Sequence, residues 1–217
     1  MIITEQKPLQ EIIDSLKDYN KIFLIGCGEC ATTCKTGGKE EVLKIKQELE
    51  KQGKVILGSS IPDAPCLAPQ IKTELAKNIT ALRQAEAILV FACGLAVQSV
   101  KDNDRLGLTV LPGCNSLFGA VMDAKGNFYE KCSLCGECVL DITGGICPVT
   151  LCSKGLLNGP CGGMDKGKCE TDKERDCAWV LIYREQEKKQ KLNKLKEIQA
   201  PKDFKKILKP HKLVLNK

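Results

Sequence analysis

Residues 21–34 read K-I-F-L-I-G-C-G-E-C-A-T-T-C. A short apolar run, Ile22 to Ile25, ends at Gly26 and passes directly into a cysteine-bearing loop. A strand that is apolar at every position is buried on both faces, as strands of parallel sheets are. The surrounding segments repeat that pattern. Helical periodicity runs through residues 38–51, with Val42, Ile45 and Leu49 on one face, and a second strand follows at Val55, Ile56 and Leu57. Residues 71–85 predict a helix carrying Ile71, Leu75, Ile79 and Leu82. The run A-I-L-V-F-A at 87–92 predicts a third strand. A short helix near Val97 and a strand over 108–111 complete the series. Residues 1–20 read as an amphipathic lead-in with Leu9, Ile12, Ile13 and Leu16 at helical spacing. Alternating strands and helices predict an α/β domain, a small doubly wound parallel sheet, over residues 20–125.

The carboxyl ends of parallel strands share one edge, where ligands of open α/β sheets bind. Cys27 follows the first strand, Cys66 lies in the loop after the second, Cys93 ends the third and Cys114 follows the fourth. Cys27, Cys30 and Cys34 stand in a C-x2-C-x3-C pattern, denser than ordinary packing needs. Three local thiols and one more, from Cys66 or Cys93, predict a four-thiolate site. Cys114 reads rather as a small buried hydrophobe. The G-C-G-E turn lacks the full dinucleotide-binding glycine pattern and supports no nucleotide site.

A second cysteine system runs from Cys132 to Cys177: Cys132, Cys135, Cys138, Cys147, Cys152, Cys161, Cys169 and Cys177, eight in 46 residues. The first three form C-x2-C-x2-C, and Cys147 precedes Pro148, a variant of the run that holds bacterial iron–sulfur clusters. Glycines between them let the chain bend around a bulky centre. The segment reads as a metal-holding module with little ordinary core. Eight thiols suffice for two [4Fe–4S] clusters or two four-cysteine zinc sites. One triplet hook with five scattered thiols favours iron–sulfur over the paired hooks of zinc. Spacing leaves the division of thiols between two sites open. Trp179 is expected to lie over a site as a lid.

The 14 cysteines invite a disulfide reading as well. The opening M-I-I-T-E-Q-K-P lacks the basic and apolar regions of a signal peptide, and no apolar run approaches membrane-spanning length. A cytoplasmic location is therefore expected, where such thiols bind metal or do redox work. The net charge of +6 is uneven. Residues 183–217 carry twelve Lys/Arg against four Asp/Glu, a net of +8, leaving −2 for the rest. A helix is expected from Ala178 to about Ala200, ended by Pro201. The lysine-rich tail beyond lacks a nucleic-acid-binding fold and a stacking platform. Its apolar residues Phe204, Ile207, Leu208, Leu213, Val214 and Leu215 suit an arm that orders on a protein partner. His211 is expected to be exposed and inert.

The segment C-S-L-C-G-E-C-V-L-D-I-T-G-G-I-C-P-V-T-L-C-S-K-G-L-L-N-G-P-C-G-G, with G-K-C-E and C-A-W-V-L-I-Y after it, closely resembles the methylenetetrahydrofolate reductase C-terminal domain family. Upstream, C-G-E-C-A-T-T-C-K-T-G-G and F-A-C-G-L-A-V-Q look like the family's amino-terminal half, so that the resemblance covers about residues 20–183. As a separate chain the protein is similar to the small cysteine-rich subunit of acetogen-type methylenetetrahydrofolate reductases. The resemblance implies a role in one-carbon metabolism, in the reductive acetyl-CoA pathway. It implies iron–sulfur or zinc sites here, with flavin and folate on a β/α-barrel flavoprotein partner. Three segments are thus expected: an α/β domain over 1–125, a metal-binding module over 126–183, and a basic helix with a partner-binding tail over 184–217. Two clusters are expected in 126–183 and a third in 1–125, with zinc as the substitute. The chain is expected to pass electrons, from ferredoxin or another redox protein, to the partner's flavin without a catalytic residue of its own. The rival is a structural zinc scaffold that docks the flavoprotein onto other redox proteins. Neither nucleic acid nor membrane is an expected partner.

Overall fold

A computed structural model describes residues 1–214. Leu215, Asn216 and Lys217, and with them the apolar anchor expected at Leu215, lie outside the described residues. The elements begin with β1 (Ile2–Gln6), α1 (Leu9–Ser15), β2 (Lys21–Ile25), α2 (Cys30–Thr33), α3 (Lys39–Lys51) and β3 (Val55–Ser60). Then come α4 (Ala68–Lys77), α5 (Ile79–Leu82), β4 (Ala87–Val90), α6 (Gly94–Asn103), β5 (Thr109–Pro112) and β6 (Cys114–Met122). The last are β7 (Phe128–Glu130), α7 (Pro148–Leu151) and α8 (Ala178–Lys188). The chain divides into two compact units, Met1–Phe118 and Gly119–Lys217, with the division inside β6.

The first unit is built on a four-stranded parallel sheet in the order β3-β2-β4-β5. Its strands alternate between two cores because successive side chains point to opposite faces. Phe23, Ile25, Ile88 and Val90 pack on one face with Ile71 and Leu75 of α4, Leu82 of α5, and Ala96 and Val100 of α6. Ile22, Leu24, Leu89 and Phe91 pack on the other with Ile12 and Leu16 from the α1 segment and Val42, Ile45 and Leu49 of α3. Each such large side chain contributes roughly 1.5–3 kcal/mol on burial. The α/β, doubly wound expectation is therefore met. Helix α3 has Glu40 and Glu41 in its first turn and Lys51 in its last, both favourable to the helix dipole.

Three local expectations need correction. Residues 1–20 hold a strand as well as a helix, because Ile3 and Thr4 are buried and Thr4 Oγ1 bonds Thr36 Oγ1 at 2.6 Å. The expected helix over 71–85 is two, interrupted at Asn78, whose Nδ2 donates to the Glu74 carbonyl at 2.9 Å. The parallel pattern also ends at β5: β1, β6 and β7 form a second sheet in that order, with β6 and β7 antiparallel.

The second unit has a small core of Cys177, Trp179 and Ile182, backed by Ile146, Leu156, Val180 and Leu195. Its long helix stops at Lys188, short of the expected Ala200. Gln190 takes a left-handed φ of 56°, and the Lys191 amide donates back to the Gln186 carbonyl at 2.8 Å. That is a Schellman-type ending with glutamine where glycine is usual, so no glycine marks it in the sequence. The tail beyond lies partly against its own unit. Asp203 N donates to Glu137 Oε2 at 2.9 Å, Lys206 Nζ pairs with Glu137 Oε1 at 2.6 Å, and Lys202 Nζ donates to the Glu137 carbonyl. Phe204, Leu208, Leu213 and Val214 remain exposed. Among the described residues no helix is long and apolar enough to cross a membrane.

Candidate metal centres

All fourteen cysteines are free thiols. In the second unit they fall into two groups of four. Cys132, Cys135, Cys138 and Cys147 line one cavity of about 240 Å³, with Lys131, Leu134, Glu137 and Lys202 also on its wall. The hook from Cys132 to Cys135 turns through Leu134, a non-glycine residue at φ 54°, and its amide donates to Cys132 Sγ at 3.4 Å. Gly136 follows at φ 77°. Such N–H···S contacts favour a thiolate and adjust the potential of a bound cluster. Cys147 caps α7, with Pro148 as the first helical residue, where its missing N–H costs nothing.

Cys152, Cys161, Cys169 and Cys177 line a second, tighter cavity of about 20 Å³ with Trp179, Met164, Lys154 and Glu170. The single turn of α7 separates Cys147 from Cys152 and so sends them to different groups. Cys161 Sγ lies 3.0 Å from Glu170 Oε2, which also pairs with Lys154 Nζ at 2.8 Å. The Cys169 thiol is lowered to about 7, by the Thr171 hydroxyl first and then by the Thr171 amide, with desolvation opposing them. Trp179 Nε1 donates to the Leu156 carbonyl at 2.9 Å, which fixes the indole on the cavity wall.

In the first unit, Cys27 and Cys93 are buried, Cys30 is half-buried and Cys66 is exposed. Burial pushes the Cys27 thiol up, and the charges of Cys30 and Cys93 add to it; the Ala31 and Glu29 amides oppose. Burial likewise raises Cys66, with Cys93 and Cys30 contributing. Cys34 Sγ lies 3.9 Å from the Ile2 carbonyl, and its charge is felt at Cys114. Cys114 is pushed up to about 12 by burial and directs its thiol to the Thr36 carbonyl at 3.6 Å. As the side chains stand, no group of three or more His, Cys, Asp or Glu among the described residues is placed to hold a metal ion. The fit of both carboxy-terminal groups to a thiophilic metal rests on their donor chemistry: four thiols per cavity, amide donors and nearby lysines.

Residues 111–205 match the family described as methylene-tetrahydrofolate reductase C terminal. No curated protein and no solved structure matches the chain.

The matched segment contains both four-thiol cavities in full, whereas Cys27, Cys30, Cys34, Cys66 and Cys93 lie before the match. Within that segment the eight thiols line two separate cavities, and Cys147 lines the same one as the triplet preceding it. It also places Trp179 on the wall of the second cavity, where a lid was expected. Sequence reading passed over Lys154, Glu170 and Thr171 around that cavity, and Lys202 and Glu137 at the first. Only Glu137, inside the C-G-E-C hook, carried a signal that could have singled it out.

Proposed function

We propose that the chain is an iron–sulfur accessory subunit of a methylenetetrahydrofolate reductase complex, passing electrons to the flavin of a catalytic partner that reduces methylenetetrahydrofolate to methyltetrahydrofolate. One observation supports this above the rest: a domain of the reductase family divides its eight thiols into two cavities of four. Cys132, Cys135, Cys138 and Cys147 would hold one [4Fe–4S] cluster, and Cys152, Cys161, Cys169 and Cys177 the other. Bound clusters would supply one-electron transfer at potentials that range, by environment, over roughly −700 to +450 mV. The chain's own groups bind and tune. Lys131 and Lys202 beside the first group, and Lys154 beside the second, offset thiolate charge, and Trp179 keeps water from the second. The partner is a flavoprotein, with ferredoxin or another redox protein as donor.

The tightness of the second cavity favours a second reading, in which a single zinc ion sits there and the chain acts as a docking scaffold. That cavity is about 20 Å³ against about 240 Å³ for the first. Anaerobic purification decides between the two. Electron transfer requires about eight iron and eight acid-labile sulfide in the carboxy-terminal unit. Stoichiometric zinc without labile sulfide would establish the scaffold instead.

A further inference from the structure

The first unit gathers thiols at the place where its topology opens. From β2 the chain crosses to β3 on one side and next to β4 on the other, so the order β3-β2-β4-β5 has its switch point between β2 and β4. Connections part there, leaving a crevice outside the strand carboxyl ends that ligands of open α/β sheets occupy. Ile25 and Val90 are paired across those strands, and Cys27 and Cys93 follow them on the two sides of the crevice. Both are more than nine-tenths buried. Cys66 arrives in the loop from β3. That loop is tied to the first by Gly28 N donating to the Pro62 carbonyl at 2.8 Å and by Cys27 Sγ near the Asp63 carbonyl at 3.6 Å. Cys30 opens α2, and its Sγ accepts from the Ile2 amide at 3.5 Å.

We propose that Cys27, Cys30, Cys66 and Cys93 form a four-thiolate centre for a thiophilic metal at this switch point. The set differs from the contiguous Cys27, Cys30 and Cys34 triplet that spacing suggests, and it takes both Cys66 and Cys93 where spacing offered a choice. Cys27 and Cys93 follow adjacent paired strands, Cys30 shares the Cys27 loop, and the loop bearing Cys66 is bonded to it from Gly28 N to the Pro62 carbonyl. Thiols packed for bulk alone have no reason to gather from three sequence-distant loops at one sheet edge, whereas metal binding supplies such a reason. Metal-free thiols turn among staggered χ1 wells, so convergence is completed by the metal. Cys34 Sγ, 3.9 Å from the Ile2 carbonyl, and Cys114 Sγ, 3.6 Å from the Thr36 carbonyl, are not needed to complete four ligands and are left outside the proposed centre. The centre lies before the family match and does not depend on the electron-transfer reading.

The test uses the full chain, stripped of metal under anaerobic conditions, then loaded with zinc alone or with iron and sulfide. Cys66→Ser is the principal variant, since Cys66 is exposed and its loss leaves the core intact. It should lose one metal centre, with affinity falling beyond the roughly 10–100-fold cost of removing a mere supporting residue. Cobalt(II) bound in its place should show a weakened thiolate charge-transfer band. Cys93→Ser should behave alike, while Cys34→Ser and Cys114→Ser keep the full content. Cys135→Ser should remove a different, carboxy-terminal centre, so the double variant loses both. Recovery with zinc alone marks a single ion, recovery only with iron and sulfide a cluster, and either supports four thiolates. Unchanged metal content in Cys66→Ser, or loss of the centre in Cys34→Ser, overturns the proposal.

Discussion

Two thiols mark the extremes of cysteine chemistry in this chain. Cys169, lowered to about 7, is about half thiolate at neutral pH, whereas Cys114, raised to about 12, is almost wholly protonated there. In metal-free protein at pH 7, iodoacetamide should therefore label Cys169 early and leave Cys114 untouched until the fold is lost, as peptide mass spectrometry will show. Metal loading should protect Cys169. Gly37 matters for a different reason. A Cβ there would overlap the Phe91 carbonyl oxygen at the end of the strand edge. Backbone cannot yield as a side chain does, so Gly37→Ala should cost about 3 kcal/mol or more, read from the urea midpoint at unchanged slope. The glycine pair at 37–38 is plain in the sequence, but its reason is not, because Phe91 lies 54 residues away.

At the scale of elements, the parallel strands were legible since each is an apolar run bounded by polar or glycine residues, and β2 is buried from Ile22 to Ile25. The end of α8 was not, because a glutamine does the work of a glycine. Beyond it, the turn at Phe204–Ile207 is held through Glu137, a carboxylate kept below the usual range by the Lys206 ammonium first and the Asp203 amide next. A lowered carboxylate pKa means that docking is complete above the free glutamate value, about 4.3, and is lost as pH falls through the lower folded value. Limited proteolysis of the tail should accordingly be slow at pH 7 and speed up under acid. Glu137→Gln should be cleaved faster at neutral pH.

For the whole molecule, the tail is bonded to Glu137 in its first part and exposed at Leu213 and Val214. Removing residues 201–217 would strip Lys202 from the wall of the first cavity, confounding docking with metal binding. Removing residues 209–217 spares Lys202, Asp203 and Lys206 and takes away exposed Leu213 and Val214. If those apolar residues anchor the flavoprotein, the shorter chain should co-purify with it more weakly, by a salt-dependent margin, while iron content and visible spectrum stay unchanged. Undiminished association would assign docking to the two units themselves.

Local chemistry by itself determined the α/β class, the both-face burial of the parallel strands and the two cysteine-rich regions, since apolar runs and thiol spacing are written in adjacent residues. The match over 111–205 accords with the family read from the carboxy-terminal motif. Only the tertiary structure placed eight thiols in two cavities of four and brought the loops that bear Cys27, Cys66 and Cys93 to one sheet edge. A shared edge for thiols 27 to 66 residues apart depends on strand order and on the placement of loops, and neither is encoded in local spacing.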